Sequence, residues 1–251
     1  MSAAVKTAPV LSLREVHKVR TQGESRFELS VPEFSLHAGE FLALVGESGC
    51  GKSTLLDLLA LISKPSAASA FEISLDAGST IDVAALWQRG DERALAALRR
   101  RHFGYVLQTG GLLPYLTVAD NLLLPLQMNQ LPQGRERVVE ISRRLGVADC
   151  LARKPESLSG GQRQRVAILR ALVHTPGIVL ADEPTAAVDR RRATQIVQSL
   201  QALACDEGVA IIMVTHDLKL VEGVADRACG FTVEQIAEHQ VRAICRPESP
   251  I

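Results

Sequence analysis

Apolar and polar residues alternate in two stretches near the N-terminus, at positions 10–19 and 27–36. A period of two residues is typical of half-buried β-strands, and the polar segment around Gly23 predicts a turn between them. A third apolar stretch at 71–75 follows a loop rich in proline, serine and alanine. We therefore predict a small antiparallel sheet at the start of the chain.

Continuous apolar runs occur later in the chain and are separated by helical patterns. Unbroken runs of strand length are typical of strands buried on both sides. The predicted buried strands are 41–45, 103–107, 178–181 and 209–214, with shorter final strands at 230–233 and 240–244. The predicted helices cover 55–61, 91–101, about 159–174 and about 190–204. Strands that alternate with helices predict a mostly parallel sheet with helices on both faces.

The segment that follows residue 108 shows no strand pattern until about residue 155 and predicts an inserted helical lobe. Thr117 and Asp120 have the spacing of a capping box, which predicts that a helix begins there. Pro125 is expected to interrupt that helix, because proline has no N–H to donate. A second helix is predicted over 135–145.

Charge and cysteine content narrow the class of protein. The 28 basic and 28 acidic side chains balance, which argues against binding to nucleic acid or to an anionic membrane surface. The five cysteines form no C-x-x-C pair, which argues against a zinc site or a disulfide framework and favours a reducing cytosol. No apolar run approaches the roughly 20 residues of a membrane-spanning helix, and we expect no export signal.

A glycine-rich segment connects the strand at 41–45 to the helix at 55–61 and matches the pattern G-x-x-x-x-G-K-[ST]. Its glycines let consecutive backbone N–H groups turn toward a phosphate, and the positive end of the following helix faces the same anion. Lys52 adds a mobile cation, and the Ser53 hydroxyl is expected to bind Mg²⁺. This strand-to-helix segment predicts a nucleoside triphosphate site, formed by Gly46, Glu47, Ser48, Gly49, Cys50, Gly51, Lys52, Ser53 and Thr54.

Two carboxylates, Asp182 and Glu183, follow the predicted strand at 178–181. A buried strand that ends in Asp-Glu places both acids at the carboxyl edge of the sheet, where the phosphate loop also begins. Asp182 is therefore predicted to hold Mg²⁺, directly or through water, and Glu183 to orient and deprotonate the attacking water. A charged turn is the alternative for one acid alone.

Ser159 and Gln162 have the spacing of a second capping box, and the two glycines between them permit close approach of another body. The bare N–H groups of such a helix start also form an anion site. The sequence Leu158-Ser159-Gly160-Gly161-Gln162 is the signature of ABC-type ATPase domains, and the helix after it continues the likeness. The motifs occur in the same order as in that family, and the resemblance covers essentially the whole chain.

The resemblance implies an α/β fold, with a P-loop NTPase core of the RecA-like type, a small antiparallel β subdomain and an inserted α-helical subdomain. The implied limits are 1–108 and 166–251 for the core with its β subdomain. The helical subdomain is implied at 109–165, where it ends in the signature. ATP and Mg²⁺ are the implied ligands, and hydrolysis of ATP to ADP and phosphate is the implied reaction.

The resemblance also assigns roles to individual residues. Gln108 matches the glutamine that senses Mg²⁺ and the attacking water. His216 matches the histidine that contacts the γ-phosphate, although a histidine after a strand also has a purely structural alternative. Asp189 matches an aspartate that communicates across a dimer. Its position equally suits the N-cap of the helix at 190–204, and the two roles are compatible.

Two kinds of protein partner are implied by the resemblance. In this family two copies stack head to tail, so that the signature of one copy closes over the ATP held by the phosphate loop of the other. The signature residues expected at that nucleotide are Ser159, Gly160, Gly161 and Gln162. An integral-membrane permease is expected to dock on the apolar segment 108–116, which would hold the chain at the cytoplasmic face of the membrane. The alternative is that Leu112 and Leu116 only pack within the lobe.

The segment 104–122 is most similar to the ATPases of lipoprotein-releasing, macrolide-exporting and cell-division systems. This favours the motor subunit of a membrane transporter of an exporting or lipoprotein-extracting type. The alternative is an ATP-gated module that relays the nucleotide state to a periplasmic partner without transport. A soluble DNA-repair or ribosomal ATPase is disfavoured, because the sequence has no coiled-coil insertion, zinc motif, tandem domain or basic excess.

The family usually has an aromatic residue that stacks on adenine near the end of the first strand, and the matching region, His17-Lys18-Val19-Arg20, has none. Arg20 is the residue of this region that we expect to contact the base. Its guanidinium plane is expected to take the place of that ring, or else the site selects adenine only weakly. Cys50 occupies a variable position of the phosphate loop, and we expect a cysteine there to have no effect on function. Oxidation of its thiol would hinder the entry of ATP.

Overall fold

The computed structural model describes residues 8–76, 79–132, 134–186 and 188–247. The strands in these ranges are β1 (Leu11–Gln22), β2 (Ser25–Leu36), β3 (Phe41–Val45), β4 (Ala70–Asp76), β5 (Ser79–Asp82), β6 (Phe103–Val106), β7 (Ile178–Asp182), β8 (Ala210–Thr215), β9 (Arg227–Ala237) and β10 (Gln240–Pro247). The helices are α1 (Lys52–Leu59), α2 (Val83–Arg89), α3 (Glu92–His102), α4 (Val118–Met128), α5 (Gly134–Arg144), α6 (Gly160–Leu172), α7 (Arg190–Glu207) and α8 (Leu218–Val221). Two 3-10 turns, at Ala148–Cys150 and Pro155–Ser157, lie between α5 and α6.

The strands form one continuous sheet in the order β5-β4-β1-β2-β10-β9-β3-β8-β7-β6. The predicted parallel core is confirmed by β9, β3, β8, β7 and β6, which pair with one another in parallel, while the other edge of β9 pairs antiparallel with β10. The predicted antiparallel group is also confirmed, since β1 pairs antiparallel with β2 and with β4. The parallel pairing of β10 with β2 joins this group to the core.

Helices cover both faces of the core, as predicted. Along β3, Phe41, Ala43 and Val45 belong to one buried cluster, whereas Leu42 and Leu44 belong to another. The first cluster includes buried residues of α4 to α8, and the second includes those of α1 to α3. Successive side chains of a strand point to opposite faces, so this division explains why the core strands are apolar at every position.

The β1–β2 hairpin is longer than its alternating pattern predicts. Its pairs continue to Gln22 and Ser25 around a two-residue turn, in which Gly23 has a φ of 58°. Backbone pairing in a hairpin does not depend on apolar side chains, so the polar tips of both strands remain in the ladder. The extension of β1 carries Arg20 into the sheet directly opposite Phe27.

Two elements, β5 and α2, have no counterpart among the predictions. The exposed residues of β5 carry no apolar pattern, and α2 is only seven residues long. Its local signal is a cap, since Asp82 accepts a hydrogen bond from the Ala85 N–H at 2.9 Å. The buried side chains of α2, such as Trp87, then pack against the sheet.

The prediction that Pro125 interrupts its helix is wrong, because α4 runs through it from Val118 to Met128. Proline removes one backbone hydrogen bond, but Leu122 and Leu126 on the same helix are buried in the core. The burial of this apolar face outweighs the missing bond. The predicted start of the helix is confirmed, since Thr117 and Asp120 form the capping box.

The helical region between β6 and β7 contains no strand among its described residues. The predicted limit between 165 and 166 falls inside α6, whose later residues are buried against the sheet. Within the part of the chain that the structure describes, every helix is too short or too polar to span a bilayer.

Gly104 of β6 lies where this helical region packs closely against the sheet. A Cβ added there would lie 2.1 Å from the carbonyl oxygen of Ala171 and 3.1 Å from Cγ2 of Val179. The Gly104→Ala protein is expected to unfold at lower urea concentration, with a loss of about 2 kcal/mol in the free energy of unfolding, because α6 must move away. Gly134→Ala is the control, since its Cβ would make only ordinary contacts. An equal loss in both proteins would contradict the prediction.

Candidate functional site

Three glycines shape the phosphate loop between β3 and α1. Gly46, Gly49 and Gly51 have φ values of 155°, 83° and 107°, which residues with a Cβ rarely adopt. Gly46 also has no room for a side chain, because an added Cβ would lie 2.7 Å from Sγ of Cys50. Gly51 is the N-cap of α1, and no described side chain caps that helix. An anion can therefore accept hydrogen bonds from the first N–H groups of α1.

Lys52 is the first residue of α1, and its side chain folds back over the phosphate loop. Its Nζ donates hydrogen bonds to the carbonyl oxygens of Gly46 and Glu47, each at 2.7 Å. The residue is only 6% exposed. The loop thus holds a single buried ammonium at the place where the pattern predicts phosphate oxygens.

The three predicted catalytic residues follow three neighbouring strands. Gln108 lies just beyond β6, Glu183 directly after β7, and His216 directly after β8. Gln108 Nε2 donates a hydrogen bond to Oε2 of Glu183 at 3.3 Å, and Nδ1 of His216 lies 3.7 Å from Oε1 of the same carboxylate. The structure therefore brings together three side chains that are far apart in the sequence, with Glu183 between the other two.

Glu183 has a backbone conformation that is unusual for a residue with a side chain. Its φ is 43°, in the left-handed region, which costs free energy wherever a Cβ is present. Its N–H donates a hydrogen bond to the carbonyl oxygen of Val214 at 3.2 Å, which ties the turn to β8. Strained residues of this kind cluster at functional sites.

Asp182 ends β7 and shares its surroundings with other carboxylates. Burial raises the pKa of its carboxyl, and the negative charges of Glu183 and Asp57 raise the pKa further, whereas Lys52 lowers it. Such a site gains from an additional cation. Among the described residues, no group of three or more histidines, cysteines, aspartates and glutamates forms a metal site by itself. Asp182 with the Ser53 hydroxyl fits Mg²⁺, which binds few protein ligands and keeps phosphates and water as the others.

A cavity of about 600 Å³ contains much of this site. Its lining includes Lys52, Ser53 and Glu183 together with Arg20 and Phe27 of the β1–β2 hairpin. The predicted base-binding Arg20 therefore shares one cavity with the predicted phosphate ligands. Its guanidinium is also held by α1, since Nη2 lies 2.8 Å from Oδ2 of Asp57.

The signature residues line a different cavity. Ser159 Oγ accepts a hydrogen bond from the Gln162 N–H at 3.2 Å, and Gln162 Oε1 accepts one from the Ser159 N–H at 3.0 Å, so the predicted capping box is confirmed. Ser159 and Gly161 line a second cavity of about 630 Å³, and Gly160 has open space around it. The two cavities share no described residue. In one chain, Ser159 and Gly161 of the signature therefore line a cavity to which the phosphate loop of the same chain does not contribute.

Asp189 is the N-cap of α7. This is one of the two roles that were predicted for it. Its Oδ1 accepts a hydrogen bond from the Arg192 N–H at 3.0 Å, and its Oδ2 lies 3.3 Å from Nε of the same arginine. The carboxylate remains half exposed. The role of Asp189 in communication across a dimer stays a prediction.

The apolar segment 108–116 is partly packed and partly exposed. Leu112 packs against the core cluster, as the structural alternative for this segment predicted, whereas Tyr115 is 69% exposed. The buried Asn121 holds the segment in place, because its Oδ1 accepts a hydrogen bond from the Leu113 N–H at 2.8 Å. Its Nδ2 donates to the carbonyl oxygen of Leu113 at 3.1 Å. The exposed tyrosine is therefore presented on an anchored loop.

Comparison with known proteins agrees with this geometry. The family model described as ABC transporter matches residues 29–186. The chain is 40% identical over 220 residues to the lipoprotein-releasing system ATP-binding protein LolD of Pseudomonas syringae pv. tomato, covering 84% of this chain and 90% of that protein. The chain belongs to the ABC transporter family. It is an ABC-type ATPase.

Two further similarities extend to a longer relative and to a solved structure. The macrolide export ATP-binding/permease protein MacB 1 of Yersinia pestis bv. Antiqua is 39% identical over 213 residues, but this chain spans only 31% of that protein. The dimeric structure of MJ0796, a bacterial ABC transporter cassette, superimposes with a TM-score of 0.76 at 32% identity. The match covers 95% of this chain and 98% of that one. The same cassette in a post-hydrolysis state bound to ADP and Pi gives a TM-score of 0.77.

Sequence reasoning missed three residues that shape the site of this ABC ATPase. Phe27 lines the cavity, Asp57 binds Arg20, and Asn121 anchors the exposed segment. Phe27 had a usable signal, because a two-residue turn after Gln22 places it directly across from Arg20. Asp57 meets Arg20 from a distant part of the chain, so no local pattern identifies it. Asn121 binds Leu113, which is near in sequence, but the irregular loop between them has no periodic pattern that indicates this contact.

The buried ammonium of Lys52 leads to a prediction about nucleotide binding. Lys52→Ala is expected to weaken the binding of ATP at least tenfold, since hydrogen bonds to charged groups contribute about 1.5–3 kcal/mol each. Isothermal titration calorimetry measures this change. Lys219→Ala, which removes an exposed lysine of α8, is the charge-matched control and should bind ATP as the unmodified protein does. Equal affinities in all three proteins would contradict the assignment of Lys52.

Proposed function

We propose that this chain is the motor subunit of a membrane transporter, in which two copies bind ATP head to tail and drive an integral-membrane permease. The observation that carries the proposal is the separation of the signature from the phosphate loop into two cavities of one chain. A second copy could bring its signature over the bound nucleotide. The dimeric cassette MJ0796 and the name of LolD support this choice, and favour an exporter or a lipoprotein-extracting system.

Binding of the triphosphate relies on the phosphate loop. Backbone N–H groups of the residues from Gly46 to Thr54 surround the phosphates, and the N-terminus of α1 adds its partial positive charge. Lys52 exchanges its carbonyl partners for phosphate oxygens. Because its Nζ already lies within hydrogen-bonding distance of the loop backbone, the ammonium needs little movement to make this exchange.

Hydrolysis depends on the three residues at the ends of β6, β7 and β8. Glu183 accepts a proton from the attacking water, while the Gln108 amide, 3.3 Å from its carboxylate, orients both groups. His216, on the other side of Glu183, contacts the γ-phosphate and responds to its loss. These contacts hold one carboxylate between an amide and an imidazole ring.

The proposed reaction also uses a bound Mg²⁺ ion. Ser53, Asp182 and Gln108 would hold it, and when bound it neutralises negative charge on the phosphates. Asp182 serves this purpose because its surroundings, with Glu183 and Asp57 nearby, favour a neighbouring cation.

The second copy contributes Ser159, Gly160, Gly161 and Gln162. The start of α6 offers N–H groups and a hydroxyl to the γ-phosphate of the partner site, and Gly160 leaves space for it. Asp189, half exposed before α7, is paired with Arg192, and Arg192 lines the same cavity as Ser159 and Gly161. The capping aspartate therefore lies next to the signature cavity.

Coupling to the permease uses the segment 108–116. It begins at Gln108, beside Glu183, and carries the exposed Tyr115. A permease segment that packs on this tyrosine would thus contact the same segment whose first residue, Gln108, donates a hydrogen bond to the catalytic carboxylate. Docking would place the ATPase peripherally at the cytoplasmic face of the membrane.

Glu183→Gln is expected to bind ATP, form a stable dimer and hydrolyse ATP at least a hundredfold more slowly, because the amide cannot accept the proton of water. Analytical ultracentrifugation with saturating ATP and Mg²⁺ measures the dimer, and phosphate release measures the rate. The matched control is the double variant Glu183→Gln with Ser159→Arg, whose bulky charge at the signature should keep it monomeric. A monomeric Glu183→Gln protein, with its permease present, would refute the head-to-tail arrangement.

Tyr115→Glu is expected to leave the ATPase rate of the isolated protein unchanged and to abolish co-purification with the permease. A charge at the centre of an apolar contact must be desolvated without a partner. Ile62→Glu provides the control, since Ile62 is similarly exposed, at 59%, but follows α1. Equal recovery of the permease with both variants would count against docking on this segment.

A further inference from the structure

Four side chains form a row across four neighbouring strands beside the phosphate loop. Arg20 of β1 pairs with Phe27 of β2, Phe27 pairs with Val241 of β10, and Val241 pairs with Gln235 of β9. Directly opposed residues of a sheet point to the same face. All four line the 600 Å³ cavity that contains Lys52. We call these four residues the base row.

Phe27 is the aromatic member of the base row, and it borders the phosphate loop. A Cβ added to Gly51 would lie 3.1 Å from Cζ of Phe27, so the ring borders the loop directly. One part of the ring packs against the core and the rest lines the cavity. A flat apolar surface of this size therefore lies beside the start of α1.

The two polar members of the base row are held by other groups. The guanidinium of Arg20 is fixed to Asp57, with Nη2 and Oδ2 2.8 Å apart. The Gln235 amide donates hydrogen bonds to the carbonyl oxygens of Ala237, at 2.7 Å, and Glu238, at 3.2 Å. Both side chains are thus fixed at the margins, and the apolar surface of Phe27 and Val241 lies between them.

We propose that the base of the nucleotide stacks on the Phe27 ring within the base row, with Arg20 as a charged margin fixed by Asp57. The inference rests on the proposed nucleotide site, since the phosphate loop must first hold the phosphates. It assigns the stacking surface to β2 and brings the β9–β10 hairpin into nucleotide recognition. Arg20 is then a positioning residue, whose ion pair sets the edge of the surface.

Stacking on an aromatic ring contributes about 1–3 kcal/mol per base. It does not read the edge of the base, because every base has a π-face. The ion pair with Asp57 holds the Arg20 guanidinium at the margin of the row, whereas the Phe27 ring lies between the two polar members and borders the phosphate loop. The ring of Phe27 therefore accounts for most of the contribution of the base to binding.

The test compares the binding of ADP and of pyrophosphate, both with Mg²⁺, by isothermal titration calorimetry on the full chain. These probes differ by the nucleoside and avoid both hydrolysis and ATP-driven dimerisation. Phe27→Leu keeps an apolar side chain and should weaken ADP about tenfold while pyrophosphate binding stays unchanged. Arg20→Ala should weaken ADP by less.

Phe231→Leu is the matched control. This ring also borders the phosphate loop, 3.5 Å from a Cβ placed on Gly46, but it is not part of the base row, and its variant should bind ADP normally. Thermal unfolding of each variant verifies that the fold is retained. An unchanged ratio of ADP to pyrophosphate affinity in Phe27→Leu, or a larger effect of Arg20→Ala, would overturn the proposal.

Lys52→Ala separates this proposal from the one on which it rests. It should weaken ADP and pyrophosphate together, because it acts on the phosphates. Loss of both ligands in Lys52→Ala, combined with an unaffected Phe27→Leu, would refute the base row alone. If Lys52→Ala changed neither ligand, the phosphate site itself would be wrong.

Discussion

The hydrogen-bonded register of β3, β8, β7 and β6 is the constraint on which the site depends. Val45 pairs with Thr215, Asp182 with Val214, and Val106 with Ala181, so these parallel strands end at one level. Whatever follows each strand must emerge at the same edge of the sheet. The phosphate loop, Glu183, His216 and Gln108 meet for this reason, and a shift of one residue in any pairing would separate them.

The same edge concentrates negative charge. Asp57, Asp182 and Glu183 lie near one another, and burial together with these neighbours raises the pKa of Asp182. Lys52 and Arg20 offset part of this repulsion through contacts with the loop and with Asp57. An arrangement of this kind is less favourable alone than with a cation and its phosphates, so ligand binding should stabilise the fold.

At each end of the helical region, exposed residues lie on backbone that hydrogen bonds hold in place. Asn121 fixes the segment after β6 by several hydrogen bonds, while Tyr115 stays exposed. The capping box at Ser159 likewise fixes the start of α6, while Gly160 stays open. Surfaces proposed to meet another protein are thus exposed residues on anchored backbone, which limits the entropy lost on association.

The sequence by itself determined the features that depend on neighbouring residues. The phosphate loop, both capping boxes, the buried strands and the helices between them were all predicted, because glycine conformation, cap spacing and apolar period are local properties. The family followed from the order of these motifs. The limits of the long hairpin, the short pair β5 and α2, and the passage of α4 through Pro125 were not predicted, since pairing and burial override weak local preferences.

Only the tertiary structure decided which distant residues meet. The contact of Gln108 with Glu183, the pairing of β10 with β2 that completes the base row, and the tie between Arg20 and Asp57 all join segments that are distant in the chain. The same holds for the separation of the signature from its own phosphate loop. These relations depend on the order of strands in the sheet, and one sequence with a given series of strands and helices is compatible with several such orders.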